Sequence, residues 1–160
     1  MSSTQLITDR QKEVEVALNR LSSIDFAGVR MKLGDPTEGQ GWDEAMLSWA
    51  EQEYRRFLAL TFAYPDLTIV PDKAVDVFWH QHILDTRAYA KDTEAVFGFF
   101  LHHFPYLGTR GPADKEKLTQ CYSETRALYE MHFPTNDKES SMEASSCGGG
   151  RCSSCAVRTN

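Results

Sequence analysis

No run of apolar residues in the 160-residue chain approaches the ~20 needed to cross a bilayer, so a membrane-spanning role is not expected. Basic residues are in deficit: 17 Lys and Arg stand against 23 Asp and Glu, a net charge of −6. A nucleic-acid backbone is recognised through a basic face, which this balance does not offer. The opening residues, Met1-Ser2-Ser3-Thr4-Gln5-Leu6, lack the basic and then apolar stretches of a secretory signal, and the cytoplasm is the expected location. A phosphate-binding loop is missing, because Gly148–Gly150 follows no strand and precedes no Lys-Ser/Thr pair. The Gly-x-Ser-x-Gly elbow of serine hydrolases is missing too, and no internal repeat is visible.

What remains is an ordinary globular composition, with 41% hydrophobic and 25% charged residues, over a length that suits one domain. Helical periodicity appears in four stretches. From about Thr8 to Ile24, Val14, Ala17, Leu18 and Leu21 recur on one face. Residues 31–41 carry glycines and Pro36 with no period and read as a loop. Asp43 can cap a second helix, with Trp42 stapled onto Leu47; Leu47, Ala50, Tyr54, Phe57, Leu58 and Thr61 form its stripe, and Pro65 ends it. A third helix is expected from about Asp72 to Phe97, with a break in the middle allowed, Pro71 ahead of it and Gly98 behind. Residues 101–112 read as a loop. A fourth helix starts near Asp114, turns Leu118, Cys121, Tyr122, Thr125, Leu128 and Tyr129 inward, and stops at Pro134. The expected fold is all-α, a single bundle of four to five helices over residues 1–135. Residues 136–160, rich in Ser, Gly and Cys with little to bury, are expected to form a flexible C-terminal tail.

Four of the five histidines, His80, His82, His102 and His103, fall within 24 residues. Imidazole is the commonest side-chain metal ligand. Asp76 and His80, four apart, share a helix face, whereas His80 and His82, two apart, point in nearly opposite directions and do not chelate one ion in a regular helix. His102 or His103 could fold back from the loop to complete a site. The alternative is that these histidines are hydrogen-bonded core residues. His132, at the end of the last helix, complements its dipole and reads as structural. Cys121, on the apolar stripe, reads as a buried thiol.

The tail holds the other three cysteines, Cys147, Cys152 and Cys155. In a reducing compartment such a cluster reads as metal-binding or redox-active sooner than as a disulfide framework. Three thiolates suit Cu(I), or zinc if a histidine or a partner supplies a fourth ligand. An inert end, a redox pair at Cys152 and Cys155, or a site of modification are the other readings.

The pattern Val75-Asp76-x-x-Trp79-His80-x-His82-x-Leu84-x-Thr86-Arg87-x-Tyr89, followed by Leu101-His102-His103-x-Pro105, resembles the bacterial branch of the glycine-rich domain-containing protein-like family. The likeness covers about residues 40 to 132, and Tyr89 and Asp92 occupy the places of a downstream Tyr and Asp. The matching polar residues are Asp76, His80, His82, Thr86, Arg87, Tyr89, His102 and His103. The resemblance implies the fold and the importance of this segment, but no particular reaction.

Together these readings give an expectation of a small metal-binding protein. Its ligands would come from His80, His82, His102, His103 and Asp76, with iron, copper or zinc as the metal and the tail thiols Cys147, Cys152 and Cys155 as a second, softer site. If it is an enzyme, it is a metal-dependent oxidoreductase or hydrolase in which Asp76 orients His80, and Arg87 or Tyr89 contacts the substrate. The alternative is a non-catalytic interaction module, or a carrier domain, whose tail meets a protein partner.

Overall fold

A computed structural model describes residues 3–134 and 155–157. The described residues form six α-helices and two short strands: α1 (Ser3–Leu21), α2 (Ala27–Gly34), α3 (Glu44–Ala63), α4 (Lys73–Leu84), α5 (Thr86–Phe97), β1 (His102–Phe104), α6 (Pro112–His132) and β2 (Cys155–Val157). The all-helical architecture is the one the periodicity predicts. Among the described residues, no helix is long and apolar enough to cross a membrane.

Val14, Ala17 and Leu21 on α1 are buried against α3, whose Leu47, Ala50, Tyr54, Phe57, Leu58 and Thr61 are all buried as expected. Asp43 caps α3 by accepting the Met46 N–H at 2.8 Å, which satisfies one of the orphan donors of the first turn. Guanidinium groups close the other ends: Arg10 donates to the Ala63 carbonyl at the end of α3, Arg20 to Val96 in α5, and Arg55 to Leu21 and Ile24 after α1.

The structure differs from the sequence expectation at several places, among them β1 within the expected loop of residues 101–112 and β2 within the expected tail. Met31–Gly34 is not loop but the end of α2, a short helix held by buried Val29 and Leu33; the turn begins at Asp35, whose carboxylate accepts from Thr37 and Glu38. The third helix takes the break allowed in its middle and is two helices. Asp85 accepts the Ala88 N–H with its side chain, so it ends α4 and starts α5 by offering the backbone an alternative partner. Tyr122 is exposed rather than inward; its hydroxyl donates to Asp72 at 2.5 Å. The break in the third helix has the larger consequence. It folds α5 back beside α4, so that residues 101–104 return to the face of α4.

Of the remaining polar core, His132 is buried between Gln11 and Tyr64. Its Nδ1 donates to Gln11 Oε1 at 2.7 Å, which leaves Nε2 to accept the Tyr64 hydroxyl at 2.7 Å, and the ring is held neutral. Burial lowers its pKa below the ordinary 6.5. The stability this supplies is complete above the unfolded-state value and is lost as pH falls through the folded-state value, because the unfolded chain then binds the extra proton. The urea midpoint of the wild type is therefore expected to drop between pH 7 and pH 5. The drop should be shallower in His132→Gln; an identical slope in the two proteins would exclude this histidine as a source.

Candidate metal centre

Asp76 and His80 lie one turn apart on α4, which is regular across both, so their side chains share a face. The Asp76 carboxylate is largely buried, while the His80 ring is half exposed, with 51% of its side-chain surface accessible. His103 comes from β1, and its ring packs edge-on against Trp79 with centroids 4.5 Å apart.

The return of β1 is fixed by a chain of buried hydrogen bonds. Trp79 Nε1 donates to the Tyr89 hydroxyl at 2.9 Å, and that hydroxyl donates to the Leu101 carbonyl at 2.6 Å. Trp79, Tyr89 and Leu101 are all essentially inaccessible to solvent. The latch joins α4, α5 and the residue two before His103, and so delivers that imidazole to Asp76 and His80.

The three side chains converge. His80 Nε2 lies 3.0 Å from His103 Nε2, His103 Nε2 lies 3.4 Å from Asp76 Oδ1, and His80 Nε2 lies 3.6 Å from Asp76 Oδ1. A triangle with these sides has a centre about 1.9 Å from every corner, close to the ~2.0–2.2 Å of zinc–nitrogen and zinc–carboxylate bonds. An ion with bonds of that length would be held by these three donors together. The donor set, two imidazoles and one carboxylate with a side open to solvent, is of the kind that holds catalytic zinc or non-haem iron(II). Among the described residues this is the group of His, Cys, Asp and Glu side chains whose spacing permits a shared ion.

The other candidates fall elsewhere. His82 points to the opposite side of α4 and is buried, with both ring nitrogens engaged. Its Nε2 donates to Asp92 Oδ2 at 3.1 Å, and its Nδ1 accepts the Tyr54 hydroxyl at 3.0 Å. Desolvation pushes its pKa below the ordinary value, against the opposing pull of Asp92. His102 is exposed on β1, with its ring beside Phe100. Arg87 is exposed on α5. Tyr89 is inside the latch, its hydroxyl committed to Trp79 and Leu101, so it does not face a substrate. Burial raises its pKa. Cys121 is a buried free thiol in α6, with a raised pKa caused mainly by desolvation. Cys147 and Cys152 lie outside the described residues. The backbone of Cys155 belongs to β2, which pairs antiparallel with β1 in the register His102 with Val157, His103 with Ala156 and Phe104 with Cys155.

The partners that aim these histidines leave little trace in the sequence. Tyr54 was visible only as part of an apolar stripe, and Leu101 acts through its backbone carbonyl, which no side-chain pattern reveals. A groove of about 680 Å³ lies between α3 and α6; it is lined by Trp49, Glu53, Arg56, Asp72, Arg126 and Tyr129 among others, and by none of the three converging residues. Its arginines are paired, Arg56 with Glu53 at 2.7 Å and Arg126 with Asp72 at 3.2 Å.

Residues 37–128, more than half of the chain, match the model of the UCP032817-like family, and the chain belongs to that family. This corrects the resemblance to the glycine-rich domain-containing proteins: a short histidine motif carried that likeness, and the match along the whole stretch assigns it elsewhere. No curated protein matches the chain, and no solved structure does.

Proposed function

We propose that this member of the UCP032817-like family binds a divalent transition-metal ion between Asp76, His80 and His103 and uses it as a metal-dependent hydrolase or oxidoreductase. The observation that supports this most directly is the mutual approach of three ligand atoms, 3.0 to 3.6 Å apart, supplied by two separate elements. Two imidazoles and a carboxylate brought together from α4 and β1 by a buried latch are a costly arrangement for a purely structural role, since His80 is half exposed and adds little to the core. Such an ion, when bound, activates water or dioxygen at its open positions. Asp76 supplies the anionic donor and lowers the net charge of the loaded site. His103, confined by Trp79, sets the third corner, and His80 occupies the side facing solvent.

Binding of an ion requires both Nε2 atoms to be free of protons, so affinity should weaken as the solution is acidified. The reading is tested on the full chain with Cys147, Cys152 and Cys155 replaced by serine, which removes competing thiolates. Purified without chelators, or reloaded with Zn²⁺ or Fe²⁺, this protein is expected to retain one equivalent of metal by mass spectrometry. Retention of none excludes the site.

A further inference from the structure

β1 is three residues long, and the strand beside it, β2, comes from residues 155–157, more than 50 positions further along the chain. An isolated two-stranded ribbon is marginal at best in water, so a pairing this short is held only weakly and responds to small changes at either strand. His103, the middle residue of β1, is the one corner of the metal site that is not on α4, and Ala156 is its register partner.

We infer that Cys155–Val157 is a positioning element of the Asp76/His80/His103 site, pairing with the strand that carries His103 and thereby setting the affinity for the metal; this rests on the metal reading above. Without β2, the backbone of His102–Phe104 has an unpaired edge, and His103 is aimed by the Leu101 carbonyl, by its contact with Trp79 and by the approach of its Nε2 to His80 and Asp76. With β2 paired, the ordering cost of β1 is met before the ion arrives. The coupling is reciprocal: whatever factor strand pairing adds to metal affinity, metal binding adds to strand pairing. The C-terminal segment thus reports on, and adjusts, the occupancy of a site that none of its own side chains need touch.

The test uses the full chain in the Cys147→Ser, Cys152→Ser, Cys155→Ser background, with Zn²⁺ as probe and its affinity measured by competition with a chromophoric chelator. In an antiparallel pair successive N–H groups face opposite sides, so one of the two at Ala156 and Val157 donates to β1, and the double substitution Ala156→Pro, Val157→Pro removes it whichever it is. Affinity is expected to fall roughly fivefold or more, the lower end of usual couplings. Ala156→Val keeps the N–H and favours extended backbone, so it should bind at least as tightly as the parent. Amide exchange at 102–104 and 155–157 should slow on addition of Zn²⁺ in the parent, and this protection should be lost in the double-proline protein. Equal Zn²⁺ affinity in the parent and the double-proline protein overturns the inference and leaves the metal site standing. A parent that binds no Zn²⁺ overturns both.

Discussion

His103→Ala is expected to lower Zn²⁺ affinity by at least about 100-fold in the serine-substituted full chain, with His80→Ala close behind, because each removes one of only three protein donors; loss of a mere supporting partner around a metal already costs 10–100-fold. The two variants should differ in a second readout. His80 is half exposed on α4 and makes its contacts with His103 and Asp76, so its truncation is expected to leave the urea midpoint almost unchanged. His103 is confined against Trp79, with 11% of its side chain accessible, and its removal should cost about 1–2 kcal/mol as well as the metal. Asp76→Asn keeps the shape and one oxygen but loses the charge, and should weaken binding by an intermediate factor. Chelator competition on the three proteins beside the parent gives the affinities, and urea unfolding of the metal-free forms gives the stabilities. Unchanged Zn²⁺ affinity in both histidine variants would show that these rings meet for another reason, such as a hydrogen bond between one protonated and one bare Nε2.

Two of the three corners of this site were legible in the sequence. The spacing of Asp76 and His80 places both on one face of a helix whatever the tertiary structure, and the same arithmetic keeps His82 away from them. Helix faces were legible for the same reason: the stripe from Leu47 to Thr61 is buried residue by residue. The third corner was not. Nothing local distinguishes His102 from His103; what selects His103 is the strand alternation that turns it toward α4, together with the Trp79–Tyr89–Leu101 latch. That latch depends on the chain reversing at Asp85, and the residue that breaks the helix does so through a capping bond as easily formed at other aspartates. The α2 helix is not legible in the sequence because only two of its eight residues are buried, so a helical period hardly registers. The pairing of β1 with β2 joins segments too far apart, and too short, for any pattern in either to announce it.

His82→Ala should show the opposite behaviour to His80→Ala, although the two residues are separated by a single position. His82 has 2% of its surface exposed and stands between Tyr54 of α3 and Asp92 of α5, while its ring packs edge-on against Phe26, Tyr54 and Tyr89. Truncation removes the ring from this aromatic cluster and leaves a cavity. It also strands the Tyr54 hydroxyl, which is wholly enclosed, and the largely buried carboxylate of Asp92. Removing one partner of a buried, charge-bearing hydrogen bond costs about 3–5 kcal/mol, which is a large share of the 5–15 kcal/mol that holds a domain of this kind together. His82→Gln retains a polar group but not the ring, and should fall between alanine and wild type. In the folded fraction at low temperature, metal stoichiometry should persist in both His82 variants, because neither removes a donor. Urea unfolding and metal content measured on the same samples therefore separate the two histidines: one change that abolishes the ion and spares the fold, and one that strips the fold of much of its stability and spares the ion. A His82→Ala protein as stable as wild type would mean that α3 and α5 are joined to α4 by apolar packing alone, and that the Tyr54–His82–Asp92 chain adds nothing to it.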